Sequence, residues 1–220
     1  MQRRPRMEPP QHAELTVALG RSRAGGDLRH RGGGMDHEGL GPLPRLETAR
    51  LRLRVLRLDD AADQYAYACA PEVAEPGMWA PLTTLDENEQ DLVASLERQA
   101  RGEAAEWGIE HREEQRLIGR CGLVRVRPVH HSAELGYALA RPYWGQGYMS
   151  EAVAAVLADG FTRLGLHRIE ALCLDDNRGS IRVLEKSGFR LEGTARQAYR
   201  QQDAYKDLRR YALLRSEWTP

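Results

Sequence analysis

Residues 143–152 read Tyr-Trp-Gly-Gln-Gly-Tyr-Met-Ser-Glu-Ala. Glycine permits tight turns and lets the backbone approach a ligand closely. The apolar spacing that follows predicts a helix over about residues 148–164, so this turn leads directly into a helix. The first N–H groups of a helix lack intrahelical partners and attract anions, and a diphosphate suits them well. The backbone groups that we expect to bind a phosphate-bearing cofactor belong to Gly145, Gln146, Gly147, Tyr148 and Met149.

Two short segments further along the chain have the residues of a second helix. Residues 177–180 read Asn-Arg-Gly-Ser, and residues 185–189 read Glu-Lys-Ser-Gly-Phe. Asparagine is a common N-cap and glycine a common C-terminal stop, so a helix over about residues 178–187 is predicted. Its polar first turn and the glycine-bearing turn together indicate a protein that binds its cofactor and acts next to it.

The composition argues against several classes of protein. Lys plus Arg and Asp plus Glu each number 32, so no overall charge favours nucleic acid or an anionic membrane. The sequence has no apolar run of about 18 residues that would span a membrane. No apolar segment follows the N-terminal arginines, so we expect no signal peptide. The three cysteines are odd in number and lack metal-ligand spacing, which indicates buried thiols in a reducing compartment, the cytoplasm.

Residues 1–44 differ in composition from the rest of the chain. They hold eight of the 21 glycines and five of the 11 prolines, with no sustained apolar period. Such a composition predicts a disordered N-terminal extension before a domain of residues 45–220. The extension is either a tail, or residues upstream of a true start at Met35, or a basic arm for a partner. Its acidic residues dilute the arginines and favour the first two readings.

The remaining pattern predicts a mixed α/β fold. Strands are expected over about residues 51–56, 105–111, 116–126, 133–139, 169–174, 189–199 and 205–214. Asp59 and Asp60 are expected to cap a helix that runs through about residue 69. Further helices are expected over about residues 86–101, 148–164 and 178–187, with a loop at 71–81. Consecutive strands separated by short turns pair antiparallel. The order therefore predicts a mostly antiparallel central sheet with helices on both faces.

Two well-known nucleotide-binding motifs do not fit the glycine-bearing turn. A Rossmann fingerprint needs three glycines after a first strand and an acidic residue about 20 positions later. A P-loop needs Gly-Lys-Ser/Thr, and no lysine lies near Gly147.

The arrangement instead resembles the GNAT superfamily of acetyl-CoA-dependent N-acetyltransferases, in its RimJ/RimL-like branch. The resemblance covers roughly residues 45–218 and is most specific from Pro142 to Phe189. Within that span the motifs follow in the family's order: Pro-Tyr-Trp-Gly-Gln-Gly-Tyr, Glu-Ala, Asn-x-x-Ser and Glu-Lys-Ser-Gly-Phe. The family pattern has Gln or Arg at the first position of the phosphate-binding turn, where this chain has Pro142; this branch commonly relies on backbone amides there.

The resemblance implies an acyltransferase that moves an acetyl group from acetyl-CoA to a primary amine without a metal. The amine attacks the thioester directly in a ternary complex, and the CoA thiolate leaves. A strand that splays after Glu134 is then expected to expose main-chain groups of Leu135, Gly136 and Tyr137, one of which polarises the acetyl carbonyl. Gly136 is either a bulge residue or an ordinary strand glycine.

Residues for proton transfer follow from the same resemblance. Many GNAT enzymes have a tyrosine general acid where this chain has Leu184, so Ser180 becomes the expected donor to the leaving sulfur. The alternative role of Ser180 is to cap the first turn of the helix. Asn177 is expected to bind the pantetheine arm or to cap the same helix. Glu134 is either the general base or a solvated strand carboxylate. In the second case a water relay would remove the proton from the amine.

The acceptor is expected to contact Trp79, in the loop 78–81, together with Tyr199 and Tyr205. Asp207 either attracts the incoming ammonium or pairs with Arg209 or Lys206. The histidines at 130 and 131 lie in a turn and lack a third ligand, so no metal site is expected.

The residues leave the acceptor open. A protein N-terminal α-amine is the first hypothesis, and a small amine such as a polyamine, an antibiotic or an amino acid is the second. A non-catalytic domain that binds or senses acyl-CoA is the third. Similar proteins commonly form homodimers through their last strands.

Overall fold

The computed structural model describes residues 40–219, which contain an eight-stranded sheet and five α-helices. The strands are β1 (Leu46–Glu47), β2 (Leu51–Val55), β3 (Ala105–His111), β4 (Arg116–Arg127), β5 (Ser132–Leu139), β6 (Arg168–Leu174), β7 (Arg190–Gln201) and β8 (Ala204–Leu214). The helices are α1 (Ala61–Ala68), α2 (Pro71–Ala74), α3 (Leu85–Ala100), α4 (Tyr148–Thr162) and α5 (Arg178–Lys186).

The sheet has the order β1-β2-β3-β4-β5-β6-β8-β7. Every neighbouring pair is antiparallel except β5 and β6, which are parallel and joined by α4. A parallel pair needs a crossover of this kind, because both strands start at the same edge of the sheet. The prediction of a mixed, mostly antiparallel sheet is confirmed.

Helices cover both faces of the sheet, as the sequence pattern predicts. On one face, α4 and α5 pack on the larger cluster of buried residues, to which the helices contribute Met149, Val153, Val156, Leu157, Phe161, Ile181 and Leu184. On the other face, α1, α2 and α3 contribute Tyr67, Ala68, Val73 and Leu92 to a smaller cluster. The apolar stripe of α4 is therefore the side that contacts the sheet.

Two local predictions need correction. The segment 71–81, predicted as a loop, begins with the one-turn helix α2, whose first residue is Pro71. Proline is favoured at that position because its fixed φ suits a helix and its missing N–H is not needed there. Asp60, expected to cap α1, makes no cap hydrogen bond. Its carboxylate instead accepts hydrogen bonds from Arg54 and from the backbone N–H of Arg57.

Residues 40–44, which the composition assigns to the N-terminal extension, contact the domain. Leu40 and Leu43 pack against the larger cluster. The indole N–H of Trp107, a fully buried side chain, donates to the carbonyl oxygen of Pro44 at 2.7 Å. The prediction of disorder for residues 1–39 lies outside the described residues.

These contacts predict different results for two truncations. Deleting residues 1–34 removes none of the described contacts, so cooperative thermal unfolding is expected to be unchanged. Deleting residues 1–44 leaves the Trp107 N–H buried without an acceptor, which costs about 1–3 kcal/mol. The second truncation should therefore melt several degrees lower, at about 2–4 °C per kcal/mol for a domain of this size. Circular dichroism melts of the two proteins test this, and equal melting temperatures would contradict it.

Candidate active site

The central feature of the site is a gap between the two parallel strands. β5 and β6 pair at Ser132–Arg168, Ala133–Ile169 and Glu134–Glu170, and the pairing then ends. Beyond that point β5 pairs only with β4, and β6 pairs only with β8. We call the space between residues 135–139 of β5 and residues 171–174 of β6 the cleft. The main chain of β5 that borders it has no neighbouring strand on that side, which leaves backbone groups free for a ligand.

Gly136 is a regular residue of β5, not a bulge. It lies opposite Gly122 of β4, and the register is continuous around it. The irregularity lies in β4, between Val124 and Arg127, where Arg125 has a φ of 47°. A β-carbon added at Gly136 would meet only Val124, at 3.8 Å. The glycine therefore leaves open space above the strand.

The turn before α4 presents a group of unpaired N–H donors. Gly145 and Gly147 have φ values of 76° and 83°, in the left-handed region that favours glycine. Within residues 40–219, the backbone N–H groups of residues 145–150 meet no protein acceptor. The side chain of Gln146 folds back to donate to the carbonyl oxygen of Pro142 at 2.8 Å. These exposed donors at a helix N-terminus fit a diphosphate.

A clamp formed by Arg50 and Glu151 holds this turn from behind. Arg50 donates to the carbonyl oxygen of Gln146 at 3.0 Å and to the Glu151 carboxylate at 2.7 Å. Its guanidinium also lies over the Tyr148 ring, 4.1 Å from the centroid. The Glu151 carboxylate accepts a further hydrogen bond from Thr48 at 2.6 Å. The clamp thus ties the segment before β2 to the first turn of α4.

The pKa of Glu151 leads to a prediction about stability. Burial raises this pKa, but hydrogen bonds from Thr48 and Arg50 outweigh burial and hold it below the ordinary 4.5. A lowered pKa in the folded state adds stability that is present above pH 4.5 and lost as the pH falls through the folded value. Glu151→Gln is therefore expected to lower the free energy of unfolding by about 1.5 kcal/mol or more at pH 7, and by less at pH 3.

Urea unfolding at the two pH values measures this difference. Glu97→Gln is a suitable control, because Glu97 pairs with Arg101 on the exposed surface of α3. Exposed pairs contribute little to stability. A loss in Glu151→Gln that stays constant with pH would contradict the assignment.

Two hydroxyl groups meet across the cleft. The Tyr137 hydroxyl from β5 lies 2.7 Å from the Ser180 hydroxyl of α5. Burial raises the pKa of the Tyr137 phenol well above its ordinary value, so the phenol keeps its proton. The side chain of Ser180 does not cap α5. The cap is Asn177, whose Oδ1 accepts a hydrogen bond from the backbone N–H of Ser180 at 3.0 Å. Leu184, at the position of the family's tyrosine, is fully buried.

The sequence pattern pointed to the main chain of Tyr137 but missed its hydroxyl. The two partners are 43 residues apart in sequence, and no local signal connects them. The cap formed by Asn177 matches one of its two expected roles. The structure therefore brings Tyr137, Ser180 and Asn177 together at the cleft.

The segment 75–79 reaches from α2 to the far side of the cleft. Asn177 Nδ2 donates to the carbonyl oxygen of Pro76 at 3.1 Å, and Gln201 Nε2 donates to that of Glu75 at 2.9 Å. Trp79, at the end of this segment, packs against the smaller cluster. This position places the predicted acceptor loop next to the residue that caps α5.

The other predicted acceptor residues lie on the last two strands. Tyr199 of β7 is half-buried and lies opposite Lys206, and burial raises the pKa of its phenol. Tyr205 of β8 is 61% exposed. The Asp207 carboxylate accepts the backbone N–H of Gln197 at 2.7 Å, where β7 departs from regular pairing. This hydrogen bond was not among the two roles expected for Asp207.

Comparison with known proteins identifies the family. Residues 50–190 match the model of the acetyltransferase (GNAT) domain family. The chain belongs to the GNAT family. GNAT proteins are acyltransferases, and relatives named as N-acetyltransferases match nearly their whole length.

Three comparisons illustrate the relationship. YoaA of Bacillus subtilis, an uncharacterised N-acetyltransferase, is 35% identical over 177 residues, which are 78% of this chain and 97% of the relative. The [ribosomal protein uS5]-alanine N-acetyltransferase of Escherichia coli is 30% identical over 190 residues, which are 81% and 95% of the two chains. A crystal structure of a GNAT acetyltransferase from Bacillus anthracis superposes with a TM-score of 0.69 at 26% identity, covering 79% of this chain and all of that one.

The candidate base of this GNAT domain is already engaged. Glu134, the last residue of β5 that pairs with β6, accepts a hydrogen bond from Arg125 at 2.6 Å. The carboxylate is therefore neither free nor simply solvated. This hydrogen bond engages Oε2, so Oε1 remains to take a proton from an amine, directly or through a bridging water.

The described part of the GNAT domain offers no metal site and no membrane span. Among residues 40–219, no three His, Cys, Asp or Glu side chains are grouped to hold a metal ion. His130 and His131 are exposed. The helices in the same range are too short or too polar to cross a bilayer.

Proposed function

We propose that this GNAT protein transfers the acetyl group of acetyl-CoA to the α-amine at the N-terminus of a protein, by direct attack in a ternary complex. The observation that carries the proposal is the separation of β5 from β6 after Glu134. It leaves a cleft with unpaired anion-binding amides at the start of α4 and a hydroxyl pair at the start of α5.

Each group of residues has a separate role in this proposal. Acetyl-CoA supplies the activated acetyl thioester. The backbone amides of residues 145–149 bind its diphosphate, and Asn177 contacts the pantetheine arm. A main-chain N–H among Leu135, Gly136 and Tyr137 polarises the acetyl carbonyl. Ser180 then donates a proton to the leaving sulfur.

The residues that handle the amine have the roles that the sequence analysis predicts for them. Glu134 accepts the amine proton on Oε1, directly or through water, while Oε2 keeps its hydrogen bond from Arg125. Trp79, Tyr199 and Tyr205 contact the acceptor. The Escherichia coli relative that is named for alanine of a ribosomal protein supports a polypeptide acceptor.

A thiol-release assay with a panel of amines tests the proposal. We expect CoA release with short peptides that carry a free α-amine, and none with the same peptides acetylated at the N-terminus. Mass spectrometry should locate the acetyl group at the α-amine and not at an internal lysine. Turnover of only polyamines, amino acids or antibiotics would overturn the proposed acceptor. Binding of acetyl-CoA without release for any amine would indicate a sensing domain.

Two further proposals concern the setting of the enzyme. We place it in the cytoplasm, which the free thiols of Cys69, Cys121 and Cys173 support. We also propose a homodimer, since β7 is one of the two edge strands of the sheet and most of its residues are exposed. Light scattering at micromolar concentration distinguishes a dimer from a monomer.

A further inference from the structure

The segment 75–79, which we call the strap, has a strained conformation. Met78 has a φ of 65°, in the left-handed region that residues other than glycine rarely adopt. A β-carbon added at Gly77 would lie 1.6 Å from the Trp79 ring, so this ring packs directly on the Gly77 backbone. Strained backbone persists only where its surroundings hold it, and it is frequent in segments that clamp ligands. The contacts that hold the strap therefore bear on its role.

Two side chains from the far side of the cleft hold the strap by its main chain. The Gln201 amide, at the tip of the hairpin that β7 and β8 form, donates to the carbonyl oxygen of Glu75 at 2.9 Å. The Asn177 amide donates to the carbonyl oxygen of Pro76 at 3.1 Å. Gln202, the next residue of the hairpin, donates instead to the side chain of Glu75, at 3.3 Å. The strap therefore spans the cleft, and two hydrogen bonds fix its main chain there.

The strap and the hairpin together carry the three residues that we assign to the acceptor. Trp79 is the last residue of the strap, and Tyr199 and Tyr205 lie on the two strands of the hairpin. Tyr199 and Gln201 are two residues apart in a regularly paired part of β7, so their side chains leave the same face of the strand. The hydrogen bond from Gln201 to Glu75 thus sets the distance between Trp79 and the two tyrosines.

The hairpin has an attachment of its own. Lys206 of β8 pairs with Asp176, directly before the cap of α5, at 2.8 Å. Loss of the Gln201 donor should therefore release the strap and leave the hairpin in place. The other anchor, Asn177, also caps α5 by accepting the backbone N–H of Ser180. Gln201 is thus the anchor that can be altered without a change in α5.

We propose that Gln201 is a positioning residue for the acceptor. Its amide holds the strap through the carbonyl oxygen of Glu75, and the strap keeps Trp79 within reach of the amine substrate. The inference rests on the proposed function, because it concerns the acceptor side of the same site. Gln201 acts through the strap, whereas acetyl-CoA binds through residues 145–149 and Asn177. It should therefore control the KM of the acceptor and leave the affinity for acetyl-CoA unchanged.

Gln201→Glu tests this role, because it keeps the size of the side chain and removes the donor to the strap. With the best acceptor of the amine panel, the acceptor KM should rise about tenfold, the effect of one hydrogen bond, while kcat and the acetyl-CoA affinity stay within about twofold. Gln201→Leu, which adds no charge, should reproduce the rise. Gln202→Glu is the matched control, since it adds the same charge beside Glu75 and leaves the main chain of the strap bound.

The control should keep the KM of the unaltered enzyme. A joint fall of kcat, acetyl-CoA affinity and melting temperature in both Gln201 variants would show a general structural role and overturn the inference. An equal rise of KM in Gln202→Glu and Gln201→Glu would trace the effect to charge and overturn it as well.

Hydrogen exchange follows the strap without an acceptor. The backbone N–H groups of residues 77–79 are hydrogen-bonded to carbonyl oxygens of residues 73–75, and they should exchange faster in Gln201→Glu than in Gln202→Glu. Asn177→Asp keeps an oxygen for the cap and removes the other donor, so it should speed the same exchange. Unchanged exchange, or faster exchange with an unchanged acceptor KM, would overturn the inference and leave the proposed function intact. No turnover of any amine would overturn both.

Discussion

Gly147→Asp is expected to lower the affinity for acetyl-CoA about a hundredfold or more. Gly147 has a φ of 83°, so any side chain there adds backbone strain of about 1–2 kcal/mol. A β-carbon added there would lie 3.6 Å from Arg50 Nη2, so the new carboxylate would pair with the guanidinium that holds the turn and would add a negative charge next to the amides that we assign to the diphosphate. A loss of about 2.8 kcal/mol corresponds to the hundredfold change.

Gly147→Asn is the control for this variant. Asparagine has nearly the same shape and tolerates the left-handed conformation better than most residues, but it carries no charge. It should retain most of the affinity, so the difference between the two variants isolates electrostatic repulsion. Titration calorimetry with acetyl-CoA gives both values. Unchanged affinity in Gly147→Asp would remove the diphosphate from this turn.

Ser180→Ala is expected to lower kcat about a hundredfold with little change in the affinity for acetyl-CoA. General acid catalysis contributes about 10²–10⁴ in rate, and the substitution removes the donor while leaving the helix cap intact. The cap depends on the backbone N–H of Ser180 and the side chain of Asn177, both of which remain. A slower enzyme would therefore reflect the lost hydroxyl and not an unwound α5. A normal kcat would leave Ser180 without a chemical role.

Tyr137→Phe tests the partner of that hydroxyl. Tyr137 orients Ser180 across the cleft, so its loss should reduce kcat by about tenfold, and the double variant should be no slower than Ser180→Ala alone. Tyr211→Phe is the control, because Tyr211 is also buried but contacts Glu185 instead. Independent, additive losses in the double variant would show that the two hydroxyls do not act together.

Local patterns were sufficient to predict most of the fold. β3 spans 105–111, as the alternation of residue types predicts, and α4 begins at Tyr148, directly after the two glycines. These elements have signals within a few residues: a period of two for strands, a period near 3.6 for helices, and glycine or asparagine at the ends. The turn that we propose for the diphosphate was predicted in the same way, because its glycines and the start of the helix that follows lie within ten residues.

The remaining features depend on contacts between distant residues. Arg50 and Glu151 are 101 residues apart, and Tyr137 and Ser180 are 43 apart. No local pattern indicates such pairs, so neither the clamp behind the turn nor the hydroxyl pair across the cleft could be predicted. The sequence also left Gly136 open as a bulge residue or an ordinary strand glycine, and it is an ordinary strand glycine whose partner strand contains the bulge. The extra residue lies in the neighbouring strand β4, and a glycine in β5 gives no information about the register of that strand.

The short pairing of β5 with β6 also has a mechanical consequence. Only three residue pairs join the strands on either side of the sheet's midline, so this junction has fewer backbone hydrogen bonds than its neighbours. A bound molecule that occupies the gap takes the place of the absent pairing and braces the two halves against each other. Without it, those amides of residues 135–139 that face the gap should exchange with deuterium faster than the amides of β4. The line along which we propose that the substrates bind is then also the least stable part of the sheet.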